Sequence, residues 1–231
     1  MKKRTNVIFS SFSPHDKLSI ANTFDILRNT EYVEEIGMGY SDLEVNEDIL
    51  YCTLIKRTIT SVLGFNSDRN NFESVEIPIF DRIPFCLDFG KNLLYTFGAN
   101  TNQNKIKSAL RNTFDFSLTY NDYGFTPIDI MARIIANNEY FNIDEIVIDK
   151  LEYKVGIFGK YIAKVSDQSI GKELIDIHKN DVLKISINVI GEKEYYLVIS
   201  SNALSIKCEE DDFFSILENL KSNIHGRGFA I

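Results

Sequence analysis

The chain has 231 residues, 44% of them hydrophobic, 25% charged and 12% aromatic, a composition that excludes disordered, collagen-like and disulfide-scaffold proteins. A chain of this length buries enough surface to hold a core without a metal or disulfide staple. Lys plus Arg number 25 against 33 Asp plus Glu, so the net charge of −8 argues against a generic binder of nucleic acid or anionic membrane. The balance tilts along the chain: residues 1–115 carry 13 basic and 15 acidic side chains, residues 116–231 carry 12 and 18, and a polyanion is expected to meet the first half.

In chain order, residues 5–12 read as a short strand. Ser13-Pro14-His15-Asp16 supplies an N-cap, a first-turn proline and an acid for a helix over 14–28, whose Ile20, Phe24 and Leu27 make one apolar face. His15, in that first turn, reads as a solvated surface residue. Strands are expected at Tyr32–Met38, Ile49–Leu63, Ser74–Phe80, Phe85–Phe89 and Leu93–Phe97, with a polar loop over 65–71 and a hairpin turn at Gly90-Lys91-Asn92. Pro78 and Pro84 flank Asp81-Arg82-Ile83, which predicts an edge or a break in the strand there.

A helix follows over Asn100–Arg111 with Ile106, Ala109 and Leu110 inward, then one capped by Thr126 and running to about Asn137 with Ile128, Met131 and Ile135 inward. Strands are expected at about 144–148, 151–164, 182–190, 194–200 and 203–207, with turns at Gly191-Glu192-Lys193 and Ser201-Asn202. Between them lies a helix over about 168–178, its apolar side at Ile170, Leu174 and Ile177. Phe213, Ile216, Leu217, Leu220 and Ile224 mark a C-terminal helix preceded by four acids, where the helix dipole favours negative charge. Gly226-Arg227-Gly228 reads as a free end.

These elements give an α+β fold, antiparallel sheet with packed helices, in two structurally similar halves, 1–115 and 116–231. The likeness rests on residues 84–111 and 194–222, each of which runs strand, turn, strand, capped helix. In element order alone this resembles the helix-backed curved sheets of TATA-binding-protein-like folds, and element order implies nothing about function.

Cys52, Cys86 and Cys208 are far apart and sit among apolar neighbours, as reduced and partly buried thiols do, and no metal-ligand spacing joins them to His15, His178 or His225. No metal and no cofactor is expected. The basic start Met1-Lys2-Lys3-Arg4 is followed by an apolar run too short for a secretory signal, and no stretch reaches the roughly 18 residues of a membrane span, so the expected location is the cytoplasm, with no membrane partner. Heavy use of Ile (31) and Asn (21) fits the AU-rich codons of a low-GC microbe or its mobile DNA.

Two chemical readings are available. Asp144 followed by Glu152-Tyr153-Lys154 has the acid and acid-x-Lys elements of a metal-dependent nuclease, in which two carboxylates hold a divalent ion and a lysine polarises water. Lys105, Lys107 and Arg111, with Lys56, Arg57 and Arg69, form a candidate nucleic-acid patch that would neutralise phosphates. Phosphate-loop, dinucleotide, serine-hydrolase, zincin and EF-hand motifs do not occur. The expectation is therefore a non-enzymatic subunit or adaptor of a larger microbial complex, docking on a protein partner and touching nucleic acid through its first half; the nuclease is the alternative.

Overall fold

The computed structural model describes residues 2–14, 18–115, 117–136 and 140–224, which form eleven strands and five helices, a mixed α+β fold with antiparallel ladders. His15 and Asp16, and the Gly226-Arg227-Gly228 segment, lie outside the described residues. The chain divides into two compact units, Ser10–Asn121 and Met1–Phe9 with Asp122–Ile231. The N-terminal residues belong to the second unit because Lys3–Ile8 of the first strand pair with a strand near the C-terminus.

The first unit contains the end of β1 (Lys3–Pro14), then α1 (Ile20–Arg28), β2 (Met38–Asn46), β3 (Ile49–Asn66), β4 (Asn71–Asp88), β5 (Leu93–Phe97), α2 (Asn100–Thr113) and β6 (Leu118–Asp122). Strand order is β2-β3-β4-β5-β1, with β6 also on β1. Leu50, Cys52 and Leu54 of β3 share one face with their partners Leu87, Phe85 and Ile83 of β4, and they pack in one cluster with Leu27, Ile106 and Leu110 from the helices.

Three expectations change here. The first helix starts at Ile20 instead of 14, because Ser19 is the cap, its side chain accepting from the Asn22 amide, while the strand before it continues to Pro14. Tyr32–Met38 is a turn closed by a Val33–Met38 bridge, and the strand runs over 38–46. Gly39 explains the tight entry: a Cβ there would lie 2.2 Å from the Tyr32 backbone nitrogen, so only glycine lets the two segments meet.

The expected break at Asp81-Arg82-Ile83 is absent, and β4 is continuous through both prolines. Pro78 and Pro84 are six residues apart, so their missing N–H positions fall on the same side of the strand. Proline survives in a ladder where that position does not donate to a neighbour. Only Phe85–Asp88 of β4 pair with β5, which leaves the outer edge of the earlier residues open.

The second unit continues with α3 (Pro127–Ala136), β7 (Tyr140–Lys154), β8 (Ile157–Lys164), α4 (Gln168–Ile177), β9 (Val182–Ile190), β10 (Tyr195–Ser200), β11 (Ala203–Cys208) and α5 (Phe213–Ile224). Its strand order is β1-β11-β10-β9-β7-β8. The sequence places the strand break at 149–150; the turn falls instead at Val155-Gly156, where Gly156 has φ +77°, and Lys150 marks a bulge within β7.

Helix phase is partly revised. In α3 the buried side is Ile130, Met131 and Ile134, with Thr126 Oγ1 accepting from the Asp129 amide as the cap requires. In α4 Ile170 and Ile177 are 62% and 65% exposed, and the inward residues are Gly171 and Ile175. The close approach of Val165 to Gly171 sets that face, since a Cβ there would meet Val165 Cγ1 at 2.6 Å. Ile216, Leu217 and Leu220 of α5 are buried as their spacing indicates.

Candidate functional site: an uncovered apolar ribbon

The sheet face that forms the first unit's core continues along β3 and β4 past the reach of the helices. The last covered rung is Lys56 opposite Asp81, where Lys105 of α2 donates to Asp81 Oδ2 at 2.6 Å. Beyond it the same face carries Thr58 opposite Ile79, Thr60 opposite Ile77 and Val62 opposite Val75. The reverse face carries Phe80, Ile59, Leu63 and the Phe65–Phe72 pair, whose rings meet edge to face at 5.3 Å. Nine large apolar side chains between residues 58 and 80 are 39% to 77% exposed.

Thr58, Ile59, Thr60 and Val62 are all β-branched, and the run is interrupted only by Ser61, whose hydroxyl is bonded to that of Ser74 across the ladder. Such a run suits a strand and little else. At the tip Asn66 Oδ1 accepts from the Asp68 and Arg69 amides, and Asn70 takes φ +50°, so the expected seven-residue loop closes to a four-residue turn. At the base, Tyr32 packs its ring on Phe80 at 5.9 Å and Arg57 is ion-paired with Glu34. Arg82 reaches Asp42 at 2.9 Å, and hydrogen bonds from Thr53, Arg82 and Ser41 hold the Asp42 carboxyl below its ordinary range. A two-stranded ribbon is marginal alone in water, and this one has apolar side chains on both faces and, among the described residues, no further strand on either edge over most of its length.

The candidate nucleic-acid residues are dispersed. Arg57 and Lys105 are engaged by Glu34 and Asp81, and Arg69 pairs with Glu73 at 3.1 Å. Arg69 sits at the ribbon tip, nine or more residues along the strand from Lys56 and Arg57, a separation of roughly 30 Å. Lys105 and Lys107 are two residues apart on a helix and leave it in different directions. Arg111 lies over the Tyr120 ring at 5.4 Å.

Asp144, Glu152 and Lys154 all lie on β7. Eight residues of one strand separate the two carboxylates, roughly 25 Å even allowing for bulges. Asp144 accepts from the Tyr196 hydroxyl at 3.0 Å, and Glu152 accepts from the Gly156 amide at 3.1 Å. A bulge between Glu152 and Lys154 breaks the alternation that would align them. The structure therefore does not bring these three together, and among the described residues no group of three or more His, Cys, Asp or Glu is placed to hold a metal ion. All three cysteines are buried, and burial pushes the Cys52 thiol up to about 12.

Comparison of the sequence with family models and with curated proteins gives no match to either. No described helix is long and apolar enough to cross a membrane. The ribbon was hidden in the sequence because its alternation looks like that of a half-buried strand; only the lengths of β3 and β4 against the short helices α1 and α2 signal that one end must lie uncovered.

Proposed function

We propose that the chain is a non-enzymatic cytoplasmic subunit of a larger microbial assembly and that it docks on a protein partner through the β3–β4 ribbon. The observation that carries this reading is the apolar surface on both ribbon faces, where a monomer in water gains nothing from exposing it. Three of the nine exposed side chains, Phe65, Phe72 and Phe80, are aromatic, the residue type that dominates interface energetics. The chemistry of the partner follows: an apolar groove that encloses the ribbon, with a strand to pair the open outer edge of β4. The strand–turn–strand–helix units at β4–β5–α2 and β10–β11–α5 further support reading the chain as two similar halves.

The test compares native mass by light scattering for the wild-type chain and for the Leu63→Asp/Phe72→Asp variant, each isolated from the native host at low salt. Dependence of a co-purifying chain on Leu63 and Phe72 supports docking. A wild-type peak at the bare 26.5 kDa of the monomer contradicts it.

A further inference from the structure

The second unit has an open sheet face of opposite character. Arg4, Lys207, Tyr196, Asn188 and Asn142 stand directly opposite one another across β1, β11, β10, β9 and β7, so all five side chains leave one face in a single row. The neighbouring row, Ile206, Leu197, Ile187 and Ile143, is buried on the other face. A sheet that needs one face for its core leaves the second to solvent or to a ligand. Here that face forms a concavity of about 460 Å³ lined by Lys2, Arg4, Asp144, Asn188, Tyr196 and Lys207.

The charges in it are unequal. Lys2 is paired with Glu194 at 3.1 Å, and the Asp144 carboxylate accepts from the Tyr196 hydroxyl at 3.0 Å, a bond that does not neutralise it, so Arg4 and Lys207 outweigh it by one positive charge. On the adjoining strands Lys184 and Glu145 neutralise each other at 2.7 Å. Among the described residues neither Arg4 nor Lys207 has a carboxylate partner. The Arg4 guanidinium instead lies over the Tyr196 ring, 5.8 Å from its centroid, within cation–π range.

We infer that this concavity binds a nucleoside phosphate, with the phosphate on Arg4 and Lys207 and the base stacked on the Arg4–Tyr196 pair. Guanidinium planes and tyrosine rings are surfaces on which unpaired bases stack, and the Asn142 amide carries both a donor and an acceptor for a base edge, while Asn188 is already hydrogen-bonded to Glu194. The same chemistry is offered by a free nucleotide and by one link of a single strand. The row belongs to the second unit, whereas Lys56, Arg57, Arg69, Lys105, Lys107 and Arg111, which sequence spacing had suggested, belong to the first.

The test is fluorescence anisotropy of a labelled oligothymidylate with the full chain at about 50 mM salt, the low-salt regime in which phosphate contacts are strongest. Unlabelled adenosine monophosphate serves both as competitor and, by calorimetry, as a ligand in its own right. Arg4→Gln/Lys207→Gln is expected to weaken binding at least tenfold, and Tyr196→Leu to weaken it while leaving the salt dependence unchanged. Lys172→Gln on α4 is the control and is expected to change nothing. For the strand, log K should fall with log salt at a slope of about −1.4, the value for two phosphates neutralised. Displacement of the probe by the mononucleotide assigns the site to a single nucleotide, and failure to displace it assigns the site to a strand. Absence of binding by both ligands, or equal binding by the folded Arg4→Gln/Lys207→Gln variant, overturns the inference.

Discussion

Lys105 Nζ lies 2.6 Å from Asp81 Oδ2, and this contact between α2 and β4 is the boundary between core and ribbon in the first unit. On one side of it the sheet face meets Ile106 and Leu110; on the other, Ile79, Ile77 and Val75 are 44% to 48% exposed. The pair is one-third exposed on each side, so its ionic contribution is small, of the order of a surface bridge, about 0–1 kcal/mol. Its position matters more than its strength.

From that boundary follows a division between stability and assembly. Leu54→Ala, on the covered side, should cost about 2–5 kcal/mol in urea unfolding, because Leu54 is fully buried and its removal leaves a cavity. Leu63→Asp, nine residues further along the same strand and 77% exposed, should change the stability of the isolated chain by no more than about 0.5 kcal/mol. Equal effects on stability would place Leu63 in a core.

Gly39→Ala tests the close approach of the 31–37 turn to β2. The added methyl collides with the Tyr32 backbone, which has no flexible end to move aside, and the bond from the Tyr40 amide to the Thr30 carbonyl, 3.0 Å, would stretch. A loss of about 1–3 kcal/mol is expected by thermal unfolding.

Ser10 and Gln103 are both buried and hydrogen-bonded at 2.8 Å, tying β1 to α2. Gln103→Leu removes the donor and strands the Ser10 hydroxyl, at an expected cost of about 1–3 kcal/mol. Adding Ser10→Ala to that variant should recover part of the loss, since both polar groups are then gone; a double-mutant cycle reads the difference.

Alkaline pH should weaken the fold. The Cys52 thiol ionises at an ordinary 9.0 when unfolded and at about 12 when folded, because burial disfavours the thiolate. Its stabilising contribution is complete below pH 9 and is lost as pH rises toward 12, at up to about 1.4 kcal/mol per unit. Tyr40, also raised by burial, acts in the same direction. Unfolding temperatures measured at about pH 8 and pH 10 should fall for the wild type and fall less for Cys52→Ala, and native Cys52 should resist alkylation at about pH 8.

Much of the fold was legible before the structure, for identifiable reasons. Turn chemistry located the hairpins at 90–92, 191–193 and 201–202, and the spacing of Ile216, Leu217 and Leu220 located the buried side of α5. The prolines of β4 were read as an edge or a break: the break is absent, and the edge is there, because only Phe85–Asp88 pair with β5. Ile170 and Ile177 misled because apolar periodicity in α4 competes with the close packing of the Val165 side chain against Gly171. The site was less legible still: Arg57, Arg69 and Lys105 look like a phosphate patch in sequence, and only the fold supplies Glu34, Glu73 and Asp81 beside them.

A partner chain that covers the ribbon shields its open edge, and hydrogen exchange over residues 58–80 reads that shielding. In material isolated intact from the native host, amides on the open edge of β4 before Phe85 should exchange slowly, and the Leu63→Asp/Phe72→Asp variant should exchange them at the rate of an open edge. Fast exchange of these amides in the native wild-type material, with the protein at 26.5 kDa, would contradict it.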